Sequence, residues 1–319
     1  MIWGYGTMTA DTDTERLSPS NVLALAHLIV PVALCSVGLW LSTGFDSTIA
    51  WIVGQAVLGV FFFQCFILLH ETAHGSFFRS RVANRLLGHL CGFLSVIPFH
   101  GWEAIHALHH KWTGWRDRDP TTEVTVSELG PLQRGIVNGA WLLWVPLFTL
   151  AYRIGNYWSP SKLRRHLPLR KVRRIQRNQV ALLAVLAVVI ALWGEWVIAN
   201  LGAAYLFSLV ISDLFILSQH SHIDIPLAGD DDVQPIGYRL QVAYTRSLQI
   251  NPVLARCVLL NFNLHEQHHA RPGIPAYHLG ELGEVMPRTR PFLGYVARAK
   301  RMKGVDFIFS TTKRTGVDL

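Results

Sequence analysis

The stretch Asn263-Leu264-His265-Glu266-Gln267-His268-His269 is the last of three similar histidine clusters along the chain. The positions of these clusters relative to the apolar segments decide the predicted fold. The two earlier clusters are His70-Glu71-Thr72-Ala73-His74 and His106-Ala107-Leu108-His109-His110. On an α-helix, positions i, i+3 and i+4 share one face, so each cluster is expected to direct its imidazoles towards one point. A tetrahedral zinc ion takes only about four ligands. The clusters together therefore suit a pair of first-row transition metals, and iron is the natural candidate for oxygen chemistry.

The composition is that of a membrane protein, since 50% of the 319 residues are hydrophobic. A net charge of +8 could suggest nucleic-acid binding, but the distribution of the charge argues against it. No Lys or Arg occurs from Leu17 to Phe78 or from Asn178 to Tyr238. Basic residues confined to alternate segments are the positive-inside pattern of a polytopic protein. We therefore expect an integral, multi-pass membrane protein with no nucleic-acid partner.

Four apolar stretches are long enough to cross a bilayer, for which about 20 residues are needed. They cover residues 21–43, 48–70, 178–199 and 201–220. The short linkers between them predict two antiparallel hairpins, the second turning near Glu195, Trp196 and Asn200. Each hairpin ends at a histidine, His70 or His220, on the same basic face of the membrane. By the charge rule this face is cytoplasmic, and the active site is expected there.

Two further apolar runs, Leu86 to Phe99 and Ile136 to Ile154, complicate the number of crossings. If both crossed the bilayer, the second histidine cluster would lie on the opposite side from the first. The first run is short and reaches Pro98, and the second contains Pro146 and many aromatic residues at its end. These features predict re-entrant or interfacial helices.

The predicted fold is therefore an all-α polytopic membrane protein with four transmembrane helices; six is the alternative. We expect one domain over residues 1–319 that begins with a polar tail, residues 1–20. Residues 71–177 and 221–319 are expected to form a cytoplasmic helical cap that carries the histidine clusters.

Three carboxylates are candidates for orienting the histidines. Glu71 and Glu266 lie within clusters, and Asp213 precedes His220 by two helical turns. A carboxylate that accepts the N–H of a metal-bound imidazole fixes the tautomer of that ring, and a carboxylate inside a spanning helix is usually functional. Helix packing is the alternative role for Asp213, and a solvated charge is the alternative for Glu266.

The first cluster alone also matches the HExxH pattern of zinc proteases, in which two histidines hold the metal and the glutamate activates water. Such a site needs one further ligand, whereas this chain offers six more histidines in the other two clusters. A membrane zinc metalloprotease is therefore the more distant alternative.

The order HxxxH, HxxHH, QHSH and HxxHH resembles the membrane fatty acid desaturase and hydroxylase superfamily, over roughly Leu68 to His278. The resemblance implies a non-haem di-iron centre held by His70, His74, His106, His109, His110, His265, His268 and His269. A further ligand is implied in Gln219-His220-Ser221-His222; the helix exit favours His220, with His222 as the alternative. Glu71 and the segment Lys111 to Pro120 are similar to their counterparts in acyl-lipid desaturases.

The resemblance further implies that the reduced di-iron centre uses O₂ to introduce a double bond into a lipid acyl chain. A fatty acyl or alkyl hydroxylase, or another di-iron lipid oxidase, is the close alternative on the same scaffold. The sequence shows no dinucleotide fingerprint, iron–sulfur cysteine set or haem domain, so a separate electron donor is expected: a ferredoxin, a rubredoxin or a small cytochrome with its reductase. An acidic donor would suit a basic surface, for which contact with anionic membrane lipids is the alternative. That surface comprises Arg288, Arg290, Arg298, Lys300, Arg301 and Lys303.

Overall fold

The computed structural model describes residues 17–283 and 286–319, so the predicted polar tail lies largely outside the described residues. Up to residue 220 the helices are α1 (Asn21–Thr43), α2 (Thr48–His74), α3 (Arg81–Leu94), α4 (Phe99–Trp112), α5 (Pro131–Leu142), α6 (Leu147–Arg153), α7 (Pro160–His166) and α8 (Leu169–His220). After it come α9 (Pro252–Cys257), α10 (His265–Ala270), α11 (Ala276–Leu279), α12 (Phe292–Arg301), α13 (Gly304–Ile308) and α14 (Thr312–Thr315).

Irregular and extended segments complete the described part of the chain. Three 3₁₀ segments cover Glu123–Val126, Tyr238–Tyr244 and Gly280–Leu282, and a π-helical turn, Ile154–Trp158, extends α6. Strand β1 (Leu248–Gln249) pairs in parallel with β2 (Arg290–Pro291). This short pair joins the segment before α10 to the segment before α12.

Helices α1 and α2 pack as an antiparallel hairpin. Ser20 and Ser47 cap their N termini, each accepting a hydrogen bond from a backbone amide of the first turn. Apolar side chains face outwards, as in Val22, which is 76% exposed, and Ile49, which is 75% exposed. α2 continues for one turn beyond residue 70 to His74, so both histidines of the first cluster lie on one helix. Both helices are long and apolar enough to cross a membrane.

Helix α8 has 52 residues, but it is folded back on itself at Trp193, whose φ of −136° and ψ of 20° are not helical. Near its start, Ile175 packs against Gly101 of α4. At its end, the His220 ring lies 4.7 Å from the His109 ring, also on α4. A straight helix would separate Ile175 from His220 by about 67 Å, whereas Gly101 and His109 are only about 12 Å apart along α4. The two arms of α8 therefore form a second hairpin.

This hairpin differs in two ways from the one predicted. The break falls at Trp193, beside Gly194, and the predicted turn residues near Glu195 continue as helix; glycine beside the break weakens helical continuity there. The first arm begins at Leu169 instead of residue 178. The basic residues that precede the apolar stretch thus form its first helical turns.

The other apolar runs form bent helix pairs. α3 and α4 meet at 103°, and α5 meets the helical segment Leu147–Trp158 at 116°. His74 at the end of α2 and His106 on α4 lie within 2.9 Å of one another, measured between Nε2 atoms. The chain thus returns at His106 to the part of the fold that it left at His74.

Close contact within the first hairpin depends on Gly54. A Cβ atom there would lie 2.4 Å from Ser42 Oγ and 2.8 Å from the Gly38 carbonyl oxygen. We expect Gly54→Val to separate α1 from α2 and lower the free energy of unfolding by about 2 kcal/mol, measured by thermal unfolding in detergent. Gly139→Ala is the control, because a Cβ there meets no atom within 4 Å. Equal unfolding temperatures for the two variants would contradict this account of the packing.

Candidate metal centre

Nine histidines converge into two groups whose candidate ligand nitrogens lie within 4.8 Å of one another in each group. The five-histidine group comprises His70, His74, His106, His110 and His268. The four-histidine group comprises His109, His220, His265 and His269. The structure thus brings together all eight histidines of the three clusters and His220.

Helices α2 and α4 contribute most of the five-histidine group. His70 and His74 lie on successive turns at the end of α2, which stops at Gly75 in the left-handed conformation with φ of 71°. On α4, His106 and His110 face this group, whereas His109 faces the four-histidine group. The expectation that each cluster points towards a single place is therefore wrong for the second cluster.

The third cluster, on α10, is divided in the opposite sense. His265 and His269 belong to the four-histidine group, and His268 belongs to the five-histidine group. His220, the last residue of α8, completes the four-histidine group. The two HxxHH helices therefore hold the groups side by side, each contributing two imidazoles to one group and one to the other.

Within the groups, several Nε2 atoms face one another. The distances between Nε2 atoms are 2.9 Å for His74 and His106, 3.1 Å for His106 and His110, 3.0 Å for His110 and His268, and 2.9 Å for His220 and His265. Each neutral imidazole carries only one N–H. Which nitrogen carries it depends on the partner of Nδ1.

Four of the rings have an acceptor at Nδ1. His70 lies 2.7 Å from Glu71 Oε1, His109 lies 2.7 Å from Asp119 Oδ2, His220 lies 3.1 Å from the Tyr244 carbonyl oxygen, and His269 lies 2.9 Å from Gln241 Oε1. With the proton on Nδ1, each neutral ring directs a lone pair from Nε2 into its group. The buried Nε2 atoms of His70 and His269 have no hydrogen-bond partner among the described residues.

This set of donors fits divalent transition metals. Burial, followed by the charge of neighbouring imidazoles, holds the pKa of His265, His268 and His269 well below its usual value of 6.5. Neutral imidazoles are ligands that iron, zinc and copper accept. Convergent lone pairs without donors are costly to bury, and a cation in each group would compensate them.

The three predicted carboxylates have different surroundings. Glu71 contacts His70 and also accepts the Ala276 amide at 3.0 Å. Asp213 accepts the Thr149 amide at the start of α6. Glu266 accepts the amides of Ser247 and Arg288 at 3.1 Å and 2.8 Å. Among these contacts in the described residues, only that of Glu71 is to a histidine ring.

Two partners of the histidines have no counterpart in the sequence-based prediction. Asp119 lies in the segment Lys111 to Pro120, and the resemblance of this segment to acyl-lipid desaturases was the one signal in the sequence that could have indicated its role. Gln241 lies in a 3₁₀ segment without any motif. His222, the alternative ligand, lies outside both groups: its two ring nitrogens face the carbonyl oxygens of Asp306 and Val317 at 3.0 Å and 3.1 Å.

A cavity with one apolar and one polar side opens onto both groups. The histidines of the two groups that line it are His70, His106, His109, His220 and His265. Its apolar wall includes Phe66, Phe148, Ile216, Leu217 and Phe262. Its polar side includes Arg116, Thr121, Thr122 and Lys162. The histidines therefore adjoin a space suited to a long apolar group with a polar end.

Acidification is expected to destabilise the metal-free protein. Because the pKa values of His265, His268 and His269 lie below 6.5 in the folded chain, only the unfolded chain takes up their protons as the pH falls past that value. Above about pH 6.5 these groups impose no penalty on the folded state, and below it each destabilises the fold by about 1.4 kcal/mol per pH unit until the pH reaches its pKa in the folded chain. Thermal unfolding between about pH 7.5 and pH 5.5 measures this. An unfolding temperature independent of pH would contradict it.

Comparison with known proteins assigns the family. Residues 46–300 match the family model described as fatty acid desaturase. A probable fatty acid desaturase of Sorghum bicolor is 31% identical, over 81% of this chain and 68% of that protein. An sn-1 acyl-lipid omega-3 desaturase (ferredoxin) of Nostoc sp. is 24% identical over 91% and 81%, and a fatty acid desaturase of Bacillus subtilis is 23% identical over 82% and 74%. As the resemblance of the histidine motifs implied, the chain belongs to the membrane fatty acid desaturase family and is an oxidoreductase.

Proposed function

We propose that the chain is a di-iron desaturase that introduces a double bond into the acyl chain of a membrane lipid. The observation that carries this proposal is the pair of adjacent groups of buried imidazoles at the wall of an apolar cavity. In our assignment, the five-histidine group holds one iron and the four-histidine group holds the other. Two bound irons would supply the activation of O₂ and the removal of hydrogen from an unactivated C–H bond.

The side chains of the protein have positioning roles in this proposal. Glu71 and Asp119 keep the Nδ1 protons of His70 and His109 in place, so that each Nε2 remains a ligand. The apolar wall, including Phe66 and Phe262, would hold the methylene groups of the substrate against the histidines and exclude water. Phe262 lies 5.2 Å from the His70 ring, whereas Phe66 is linked to a histidine through Trp102, which lies 5.1 Å from Phe66 and stacks on His106 at 5.2 Å.

We further propose four membrane crossings, formed by α1, α2 and the two arms of α8, with the histidines on the cytoplasmic face. The alternating distribution of Lys and Arg supports this orientation. Both hairpins end at histidines of one site, so an even number of crossings separates His74 from His220. In this proposal residues 1–319 form one domain, with the cap built from residues 71–177 and 221–319.

A separate small protein is proposed to supply the electrons. The Nostoc relative is named as a ferredoxin-type enzyme, which supports an acidic donor on a basic surface. Two of the six basic residues predicted for that surface are bound within the chain. Arg290 donates to the Leu319 carbonyl oxygen at 3.0 Å, and the Lys300 ammonium lies 4.0 Å from the ring centroids of both Trp141 and Trp144. The donor surface would therefore consist of Arg288 and Arg298, because Arg301 and Lys303 line a separate groove.

The first experiment is to determine the metal content of the detergent-purified chain together with the lipids formed on expression. We expect about two irons per chain and acyl chains that have lost two hydrogens. Acyl chains that have gained oxygen would assign the hydroxylase alternative on the same scaffold. One zinc per chain without iron would overturn the proposal.

The zinc protease alternative would require a different orientation of the Glu71 carboxylate. In a protease this carboxylate would face the metal-bound water. Here it faces His70 Nδ1 and the Ala276 amide, away from the Nε2 atoms of the five-histidine group. Its orientation favours a positioning role. For Glu71→Gln we expect weaker iron binding, by about tenfold, with residual desaturation. Loss of a proteolytic activity in this variant would instead support the protease.

A further inference from the structure

A basic groove lies next to the histidine cavity on the far side of Phe309, which lines both. Its basic residues are Arg134, Arg301, Lys303 and Arg314, and its acidic residues are Glu128 and Asp306. Four positive and two negative charges give the groove a formal charge of +2. No ion pair neutralises any of the four cations within residues 17–283 and 286–319. The described residues therefore give the groove a net positive charge.

Tight packing between α5 and α13 holds the groove together. A Cβ atom on Gly304 would lie 2.7 Å from Trp141 Cβ and 2.8 Å from the Val137 carbonyl oxygen, so only glycine permits this approach. The Val305 amide also donates to Asn138 Oδ1 at 3.0 Å. These contacts hold α5, which carries Arg134, beside α13, which directly follows Lys303.

The groove lies beside a surface suited to lipid. On α5 and just after it, Leu132 is 78% exposed, Leu143 is 71% exposed and Trp144 is 44% exposed. Large exposed apolar and tryptophan side chains next to Lys and Arg are typical of the headgroup level of a membrane. The cations of the groove thus stand where lipid phosphates are concentrated.

Positive charge continues from the groove to the polar side of the histidine cavity. Arg116 lines that cavity and donates to Thr125 Oγ1 at 2.8 Å and to the Ile308 carbonyl oxygen at 3.4 Å. Burial, and then the charge of Arg314, lower the pKa of Arg116. Arg116 and Arg314 thus line the two neighbouring cavities that share Phe309.

We propose that the groove binds the phosphate of a glycerophospholipid headgroup while an acyl chain of the same lipid occupies the apolar cavity beside the histidines. The inference rests on the proposed function, since it takes that acyl chain to be the substrate. It assigns the acyl carrier as a phospholipid, in preference to a neutral glycolipid, which offers these cations no phosphate. The concave shape and the shared Phe309 wall favour a lipid headgroup over a docked protein.

The test is a binding measurement on the iron-loaded, detergent-purified chain. The groove variant combines Arg301→Gln, Lys303→Gln and Arg314→Gln. The control variant combines Arg170→Gln, Arg173→Gln and Arg177→Gln, which remove the same charge from exposed positions on the first turns of α8. The probes are dioctanoyl-phosphatidylglycerol, dioctanoylglycerol with the same chains but no phosphate, and inorganic phosphate.

We expect the groove variant to bind dioctanoyl-phosphatidylglycerol about tenfold or more weakly than the wild type, since each lost cation near a lipid phosphate contributes to affinity. The control variant should bind it normally, and dioctanoylglycerol should bind all three proteins equally. Iron content equal to that of the wild type verifies that the groove variant is folded. Unchanged affinity of the groove variant for the phospholipid would overturn the proposal.

Two further outcomes would assign a different ligand to the groove. Inorganic phosphate that competes at the concentration at which the lipid binds would assign a free-phosphate site and overturn the lipid proposal. Slower turnover with an acidic ferredoxin, at unchanged lipid affinity, would assign donor docking and overturn it as well. Phospholipid binding at the groove without any desaturation would leave the groove in place and count against the proposed function alone.

Discussion

His269→Ala is expected to lower the iron content from about two to about one per chain and to reduce desaturation by about a thousandfold or more. The four-histidine group would keep only three imidazoles, and the bond that His269 makes to Gln241 would be lost. His268→Ala leaves four imidazoles in the five-histidine group. We therefore expect His268→Ala to retain more iron than His269→Ala, although both lose most of their activity because both irons are needed.

Metal analysis of the purified variants, together with lipid product analysis, measures this difference. His100→Ala is the control, because His100 contacts Glu103 and belongs to neither group. Its iron content and activity should match those of the wild type. Equal iron loss in the His268 and His269 variants would contradict the division into five and four ligands. Full iron content in the His269 variant would contradict the assignment of that group.

Asp119→Ala is expected to weaken iron binding by about 10- to 100-fold, with a corresponding loss of activity at limiting iron. Asp119 is 2% exposed, accepts the His109 Nδ1 proton at 2.7 Å, and accepts the amide and hydroxyl of Thr121 at 2.8 Å and 2.9 Å. Without it, His109 Nδ1 keeps only the Thr121 hydroxyl at 3.0 Å, which can donate as well as accept and so does not fix the tautomer. The lost buried hydrogen bonds should also lower the free energy of unfolding by about 2–4 kcal/mol.

Two further variants separate the effect on the metal from the effect on stability. Asp119→Asn retains an acceptor oxygen and should recover part of the iron affinity. Asp117→Ala removes bonds to the amides of Ala228 and Gly229 without touching a histidine. It should therefore change stability and leave iron affinity unaltered. Iron affinity of Asp119→Ala equal to that of Asp117→Ala would contradict the role assigned to Asp119.

The long apolar helices could be predicted because each depends on a local property of the sequence. The first hairpin starts at the predicted residues, and its second helix extends only one turn further. The turn of the second hairpin was predicted a few residues too late, because the chain is apolar and helix-forming both before and after Trp193. A break of one residue leaves no polar or proline-rich signal in such a stretch.

The division of the histidines could not be predicted from their spacing. On α4, His106 and His110 are about 40° apart around the helix axis, and His109 lies about 100° from His110. By spacing alone, these three histidines would lie on neighbouring parts of the helix surface. Only the position of α10 and α8 around α4 decides that His109 joins His220, His265 and His269.

The sequence by itself determined the membrane helices, the histidines that converge and the family. Apolar length and the i, i+3, i+4 spacing act within single helices, where chain geometry is fixed. The tertiary structure decided which histidines share a group, that Asp119 and Gln241 support His109 and His269, and that a basic groove adjoins the cavity. These features join residues far apart in the sequence, and their proximity follows from how whole helices pack.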